Sequence, residues 1–424
     1  MLHLLALTGC DNGVFVRLTS CKQRNTKRAQ TGRRGHDLSR PSRVDRVSAM
    51  TALANDTSPE PAAIGMATQR ELVWQKFTEH KLAVISLYVI GLIYLIGAFC
   101  EFVAPRTPDY YDSAYTMLAP QPLKLFYADE QGNTQFGLHV NGFSSQRDPA
   151  TLRRVFTMDE SVVIPVGFFV EGVPYRLWGL FPTNRHLIGP VNPEDPFYLM
   201  GSDRLGRDVL SRTIYGTRVS TSIGLIGVAI SLVLGVILGG ISGYFGGAID
   251  NIIQRVIEFI MSVPTIPLWM GLAAAIPVTW SPVLVYLIIT IIISLIGWTS
   301  LAREVRGRFM SWRNEPFIVA ARLDGTSQLT IIRRHMVPGF VSHIIASVTL
   351  AIPAMIIAET SLSFLGIGLR SPVVSWGVLL QEAQNIRSLA EAPWLLLPGA
   401  LVIITVLGLN FLGDGLRDAA DPYS

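Results

Sequence analysis

The chain alternates between long apolar runs and short polar islands. Six runs of about twenty residues stand out: Leu82 to Val103, Val219 to Gly240, Val256 to Pro277, Pro282 to Leu301, Ile344 to Phe364 and Trp394 to Leu412. At ~1.5 Å rise per residue, each is long enough as a helix to cross ~30 Å of hydrocarbon. The pattern predicts an all-α transmembrane protein of six spans. Ahead of the first run, Arg70 to Lys81 reads as an amphipathic helix on the membrane surface, with Leu72, Val73 and Phe77 on one side. Lys76 and Lys81 flank the start of that run and place its N-terminus in the cytoplasm. No short apolar segment with a small-residue cleavage site is evident, so a signal peptide is not expected.

Two stretches break the pattern. Residues 1–65 are polar, basic between Lys22 and Arg46, and nearly free of apolar periodicity. A transit peptide or a nucleic-acid tail has such a composition. The favoured reading is that Met50 or Met66 is the true start, with a disordered segment or an over-extended reading frame upstream. Residues 104–200 mix aromatics, Pro, Gly and charges without a spanning run. Leu125 to Tyr127, Asp129 to Asn133 and Phe136 to Val140 read as a hairpin, and Val162–Val170 and Pro174–Leu180 as further strands. Long structureless loops are uncommon, so a small β-rich extracytoplasmic insertion is expected. The organisation is thus a tail (1–65), an interfacial helix with the first span (66–103), the insertion (104–200) and a core of five spans (201–424).

Glycine and proline punctuate the spans. Gly224, Gly227, Gly235, Gly239 and Gly240 mark faces where another helix can approach closely. A break comes next at Gly243 to Gly247, and Asp250, Arg255 and Glu258 open the next helix. Pro264 and Pro267 predict a kink in the third span, tolerable where neighbours re-satisfy the backbone. The fourth span delivers the chain to Arg303. Between Arg303 and Arg334 stand seven Arg and three acids, a bias that places this segment in the cytoplasm. Counting spans gives the same side, puts both termini inside and leaves 104–200 outside.

Composition agrees with a membrane protein. Half of the 424 residues are hydrophobic and 16% are charged, against about 25% charged in soluble domains. A net charge of +4 is no nucleic-acid signature. Cys10, Cys21 and Cys100 have neither metal-like spacing nor the look of a disulfide framework.

Four polar islands carry the candidate chemistry. The first is Val319-Ala320-Ala321-Arg322-Leu323-Asp324-Gly325, continued through Arg333-Arg334-His335-Met336-Val337-Pro338. Small Ala320 and Ala321 allow close approach, Gly325 permits positive φ at a helix end, and Pro338 breaks or kinks the helix at its own position. A second short helix is expected from Ser327 to His335, with Leu329, Ile332 and Met336 on one face. The expected shape is a helix–turn–helix elbow on the membrane surface, suited to a groove on a soluble partner. An interfacial amphipathic loop is the plainer alternative. The second island is Gly201-Ser202-Asp203-Arg204-Leu205-Gly206-Arg207-Asp208-Val209-Leu210-Ser211-Arg212, a tight turn leading into a helix, with Asp203, Arg207 and Asp208 suited to local salt bridging. The third, Glu359 to Gly368, includes Ser361, Ser363 and Gly366, with Glu359 the one carboxylate deep in an apolar run. Such a group is a functional hypothesis; a helix-end carboxylate bonded to Thr360 or Ser363 is the structural alternative. The fourth is Gly413-Asp414-Gly415-Leu416-Arg417-Asp418, with Asp421-Pro422 shortly after it, read as a short cytoplasmic helix with charged caps.

These islands resemble signatures of ABC importer permeases of the dipeptide/oligopeptide family, and in particular their second, C-type permease. Ala320, Ala321, Gly325 and Val337-Pro338 resemble the family's "EAA" loop, with Val319 where its Glu would stand. The stretch from Gly201 to Arg212 resembles the family's Gly-Thr-Asp-x-x-Gly-Arg-Asp pattern, with Ser202 in place of Thr. The third and fourth islands match further family signatures. The resemblance implies a type I permease fold and a heterodimer with a second permease subunit. It further implies two ATPase subunits docked on the elbow and an extracytoplasmic substrate-binding protein, in a bacterial inner membrane. No cofactor is implied on this chain; ATP and Mg would belong to the ATPase subunits. Peptides are the implied cargo, with oligosaccharides, nickel chelates and opines as alternatives. The insertion is larger than the resemblance leads one to expect.

Other chemistry finds little support. The chain has no Gly-x-x-x-x-Gly-Lys-Ser/Thr loop, no His-Glu-x-x-His and no Gly-x-Ser-x-Gly. An ion-coupled carrier would need intramembrane charges on several helices, and only Glu359 and Glu258 qualify. A membrane hydrolase would need a nucleophile and base, which no motif supplies.

Overall fold

The computed structural model describes residues 69–128, 134–147, 149, 154–277 and 279–420. The 1–65 tail, the Asp129–Asn133 turn, Asp421 and Pro422 lie outside the described residues. Helix α1 (Gln69–Glu79) leads directly into α2 (Lys81–Ala98). Of the three apolar residues expected on one side of α1, Phe77 is buried but Leu72 is half-exposed; Trp74 instead stacks on Phe77 with ring centres 5.8 Å apart.

The insertion is a four-stranded antiparallel meander: β1 (Lys124–Ala128), β2 (Thr134–Arg147), β3 (Arg154–Leu177) and β4 (Phe181–Pro190). The sequence stretches Val162–Val170 and Pro174–Leu180 do not form two strands. They largely belong to one long strand, β3, whose register against β4 shifts between Glu171 and Tyr175, and residues 178–180 form its turn. Val140, Ile164, Val166 and Phe197 form a small buried core of its own.

Helix α3 (Val209–Phe245) is far longer than the run that predicts it. Its polar first turns remain helical because Asp208 caps them, accepting from Ser211 N at 2.8 Å. Gly246 at φ +65° ends it. The third apolar run is not one kinked helix. It is α4 (Gly247–Ser262) and α5 (Thr265–Ala274), bent by 87°. Pro264 disfavours helix in the residue before it, and Val263 is extended accordingly; Pro267 then sits in the first turn of α5, where it is tolerated. Helix α6 (Pro282–Trp312) continues past Leu301 through the arginines. The elbow contributes α7 (Pro316–Leu323) and α8 (Gln328–Ile331). After it come α9 (Val341–Phe364), a folded-back segment holding α10 (Trp376–Gln381), and α11 (Leu397–Ala420). The fourth island is the last two turns of α11, not a separate helix, because nothing in Gly413–Asp418 breaks the 3.6-residue pattern strongly enough.

Among the described residues, five helices are long and apolar enough to cross a membrane, and the bent pair α4–α5 raises this to as many as six. Lipid is as apolar as leucine, so helices associate there through close packing. The α3–α6 contact shows how. A Cβ on Gly239 would lie 2.4 Å from Ala302 O, and one on Gly243 would lie 2.6 Å from Arg306 O. Two glycines four residues apart thus let the backbones of α3 and α6 touch.

Candidate functional site

Two polar constellations lie at the ends of the bundle. The first is the elbow. Glu315 precedes α7 and Pro316 occupies its first turn, where its missing N–H costs nothing. The helix ends in a Schellman turn: Thr326 N donates to Ala321 O at 3.1 Å and Gly325 N to Arg322 O at 3.2 Å. Gly325 holds φ +78° at its centre. Ser327 then caps α8, accepting from Thr330 N. A π-turn over Ile332–Met336 carries the chain to Pro338, in the short turn Val337–Gly339.

The elbow is rooted by Ile318, Ile331 and Met336, all fully buried against Val305, Phe309 and Phe340. Leu329 does not share the buried face with Met336; Ile331 takes that place because the π-turn shifts the helical phase. Leu329 is 75% exposed and Leu323 84%. Ala321 packs against the rooted cluster, while Val319, Ala320, Arg322, Asp324, Gly325 and Pro338 are exposed. The outer surface is thus two leucines and a positive-φ glycine, rimmed by Arg322, Arg333 and Arg334. Behind it, Asp250 of α4 accepts from Arg306 Nε at 2.5 Å and Nη2 at 2.7 Å, and from Ser242 Oγ.

The second constellation is the network around the Gly201–Arg212 island. Asp203 Oδ2 accepts from Arg207 Nε and Arg212 Nη1, both at 2.6 Å, and its Oδ1 accepts from Leu205 N and Arg207 N. Glu382, far away in sequence, joins them: its Oε1 accepts from Arg207 Nη2 at 2.8 Å. Burial pushes the Glu382 carboxyl above the usual range and nearby Asp203 adds to it, outweighing Arg212 and Arg207. Asp208 does not join this salt bridging; it caps α3, and Ser211 Oγ donates to it while accepting from Arg106 N. Gly206 at φ +79° leaves no room for a side chain, since a Cβ would fall 1.9 Å from Asp112 O. At Gly201 a Cβ would meet Leu118 O and Trp394 at 2.7 Å. Trp394 is no free interfacial anchor: its indole donates to Ser202 O at 2.9 Å. The island therefore stitches three distant segments together, which spacing alone did not reveal.

Glu359 is fully buried within α9. Its Oε1 accepts from Ser363 Oγ at 2.8 Å and its Oε2 from Ser220 Oγ of α3 at 3.1 Å. Ser220 Oγ in turn accepts from Trp376 N, and Ser363 Oγ from Leu369 N. Glu359 is thus the knot that ties α3, α9 and α10, with no solvent-facing edge. Ser361 bonds Leu365 N through its carbonyl, Gly366 holds φ +77°, and Gly368 is packed on the Ser363 backbone. In α11, Gly413 lies against Leu350 and Gly415 against Ala83, while Asp414, Arg417 and Asp418 face outward. Among the described residues, no group of three or more His, Cys, Asp or Glu side chains is placed to hold a metal ion.

A multi-helix membrane bundle with a rigid surface elbow defines a membrane-embedded transport component. The comparisons specify it further. Residues 231–423 match the family described as binding-protein-dependent transport system inner membrane component, and residues 68–120 match the N-terminal TM domain of oligopeptide transport permease C. The oligopeptide transport system permease protein OppC of Salmonella typhimurium is 37% identical over 263 residues, covering 62% of this chain and 84% of the relative. The dipeptide transport system permease protein DppC of Bacillus subtilis is 36% identical over 232 residues, covering 54% and 70%. OppC of Escherichia coli is 38% identical over 226 residues, covering 53% and 72%. The chain belongs to the binding-protein-dependent permease family, as a C-type member. Most of the β-insertion, residues 121–200, lies in neither family match.

Proposed function

We propose that this chain is one of two permease subunits of an ATP-driven importer, with peptides as its cargo. The single observation that carries the reading is the elbow: two exposed leucines at a Schellman turn, rooted through Ile318, Ile331 and Met336 in the bundle. A separate ATPase subunit seats this knob in a groove; ATP and Mg are bound there, not here. The rooted cluster transmits the groove's motion to α6 and α3, and alternating access results as a rigid-body rocking of helices. Nucleotide shifts that equilibrium only by its different affinity for the two states. In this reading α4–α5 completes a sixth span, both termini and the elbow are cytoplasmic, and the sheet faces an extracytoplasmic substrate-binding protein or the partner permease. The membrane is a bacterial inner membrane. Support comes from the relatives, whose names are those of peptide transport permeases, and from the arginine bias around the elbow.

Co-purification of the chain from its native membrane tests this. Two ATPase subunits and a second permease are expected to accompany it, and ATPase activity to rise when peptide-loaded receptor is added. A chain that purifies alone and transports alone would overturn the reading. Deleting residues 121–190 tests the sheet's part: receptor docking or uptake is expected to fall.

A further inference from the structure

The β3–β4 hairpin ends in an apolar tip that the bundle does not cover. Trp178 is 51% exposed, Phe181 59% and Leu180 72%. The turn is sharp, with Trp178 at φ +52° and Gly179 at φ +75°. The tip is held at a fixed height. Trp178 Nε1 donates to Ala98 O, the last residue of α2, at 2.7 Å, and its ring packs on Phe99 with centres 5.3 Å apart. Further up the hairpin, a His186 ring nitrogen sits 2.6 Å from Ala104 O.

Helix α2 sets the depth. Its 18 residues span ~27 Å at 1.5 Å each, close to the hydrocarbon thickness. With Lys81 at one boundary, Ala98 lies at the other. One face of α2 is an exposed stripe of Leu82, Ile85, Tyr88, Leu92 and Leu95, the surface a spanning helix turns to lipid. Phe99 and Trp178 continue that stripe. Arg176 and Arg185, both exposed, flank the tip on the strands above it. An aromatic and aliphatic tip below two guanidinium groups fits the boundary between acyl chains and phosphates.

We propose that the Trp178–Phe181 tip inserts into the bilayer leaflet at the Ala98 end of α2, so that the sheet is fixed to lipid as well as to protein. The occupant of this surface is phospholipid. The inference is independent of cargo and of how the elbow docks.

The test uses the full chain, purified with the subunits that accompany it, in vesicles of phosphatidylethanolamine and phosphatidylglycerol. Cys10 and Cys21 are changed to Ser, and buried Cys100 is left in place. An environment-sensitive fluorophore is attached at Leu180→Cys and, as the water baseline, at exposed Glu194→Cys. The Leu180 label is expected to emit to the blue of the Glu194 label and to lose intensity when the acyl chains are brominated near the headgroup. Emission matching the Glu194 label would overturn the proposal. So would a blue shift without quenching by brominated lipid, which would mean that protein, not lipid, covers the tip. Labelling sits on a surface residue, so each variant is expected to fold.

Discussion

Arg306 grips Asp250 with both arms of its guanidinium, Nε to Oδ1 at 2.5 Å and Nη2 to Oδ2 at 2.7 Å. The pair joins the start of α4 to α6 about three turns before the elbow, so it couples the bent segment to the handle. Arg306→Ala is expected to cost about 1–2 kcal/mol of stability, at the low end for a charged hydrogen bond because the arginine side chain is 30% exposed. Thermal unfolding of the purified complex measures this. Reversing the pair, Asp250→Arg with Arg306→Asp, should recover part of the loss. An Arg306→Ala protein with unchanged melting and uptake would show that the pair is not structural.

At Gly325 two effects separate. Its φ of +78° penalises any side chain, yet a Cβ there would meet nothing within 4 Å. Gly325→Val should destabilise the turn by about 1–2 kcal/mol through backbone strain. Gly325→Asn, which tolerates this region, should leave uptake near normal. Gly325→Asp should uncouple transport by placing a charge on the docking face while the chain stays folded. Peptide uptake and receptor-stimulated ATP hydrolysis, measured side by side, distinguish the three.

Glu382 makes a prediction with a definite sign. Its folded pKa is raised, by burial first and by Asp203 second. The folded chain therefore holds this proton more tightly than the unfolded one does. The resulting stability is fully present below the unfolded value of ~4.3 and is lost as pH rises through the folded value. Glu382→Gln stays neutral throughout. Its melting temperature relative to wild type should rise between about pH 4 and neutrality, despite the lost ion pairs to Arg207 and Arg212. A variant less stable at neutral pH than at pH 4, each relative to wild type, would reverse the assignment.

Gly206→Ala should be among the most damaging single changes. The added methyl would lie 1.9 Å from Asp112 O at φ +79°. Overpacking and backbone strain together cost about 3 kcal/mol. Membrane yield and thermal unfolding are the readouts, and a normal yield would mean the loop rearranges freely.

Much of the fold was legible in the sequence because membrane spans announce themselves by length and polarity. The elbow was legible for the same reason: Gly325 and Pro338 interrupt a polar segment at positions where only special backbone fits. What escaped were relationships across long separations. Nothing near Arg207 points to Glu382, 175 residues away. The phase shift that exposes Leu329 comes from a π-turn, and propensity does not predict one. The long α3 was hidden because hydrophobicity was read as the signal for helix, whereas its first turns are polar and held by Asp208 and the network behind it. Likewise β3 looked like two strands because Gly172 and Pro174 interrupt the apolar pattern, although pairing to β4 carries the strand through with a bulge.

The most direct test of the central claim is ATP-driven peptide uptake by vesicles holding the complete complex, compared for wild type and the double change Leu323→Asp with Leu329→Asp. Both side chains are exposed, so the bundle should fold and melt as before. The account predicts that uptake disappears and that the ATPase subunits dissociate at dilutions the wild-type complex survives. Full uptake by the double variant, or uptake by the chain alone without ATP, would contradict it.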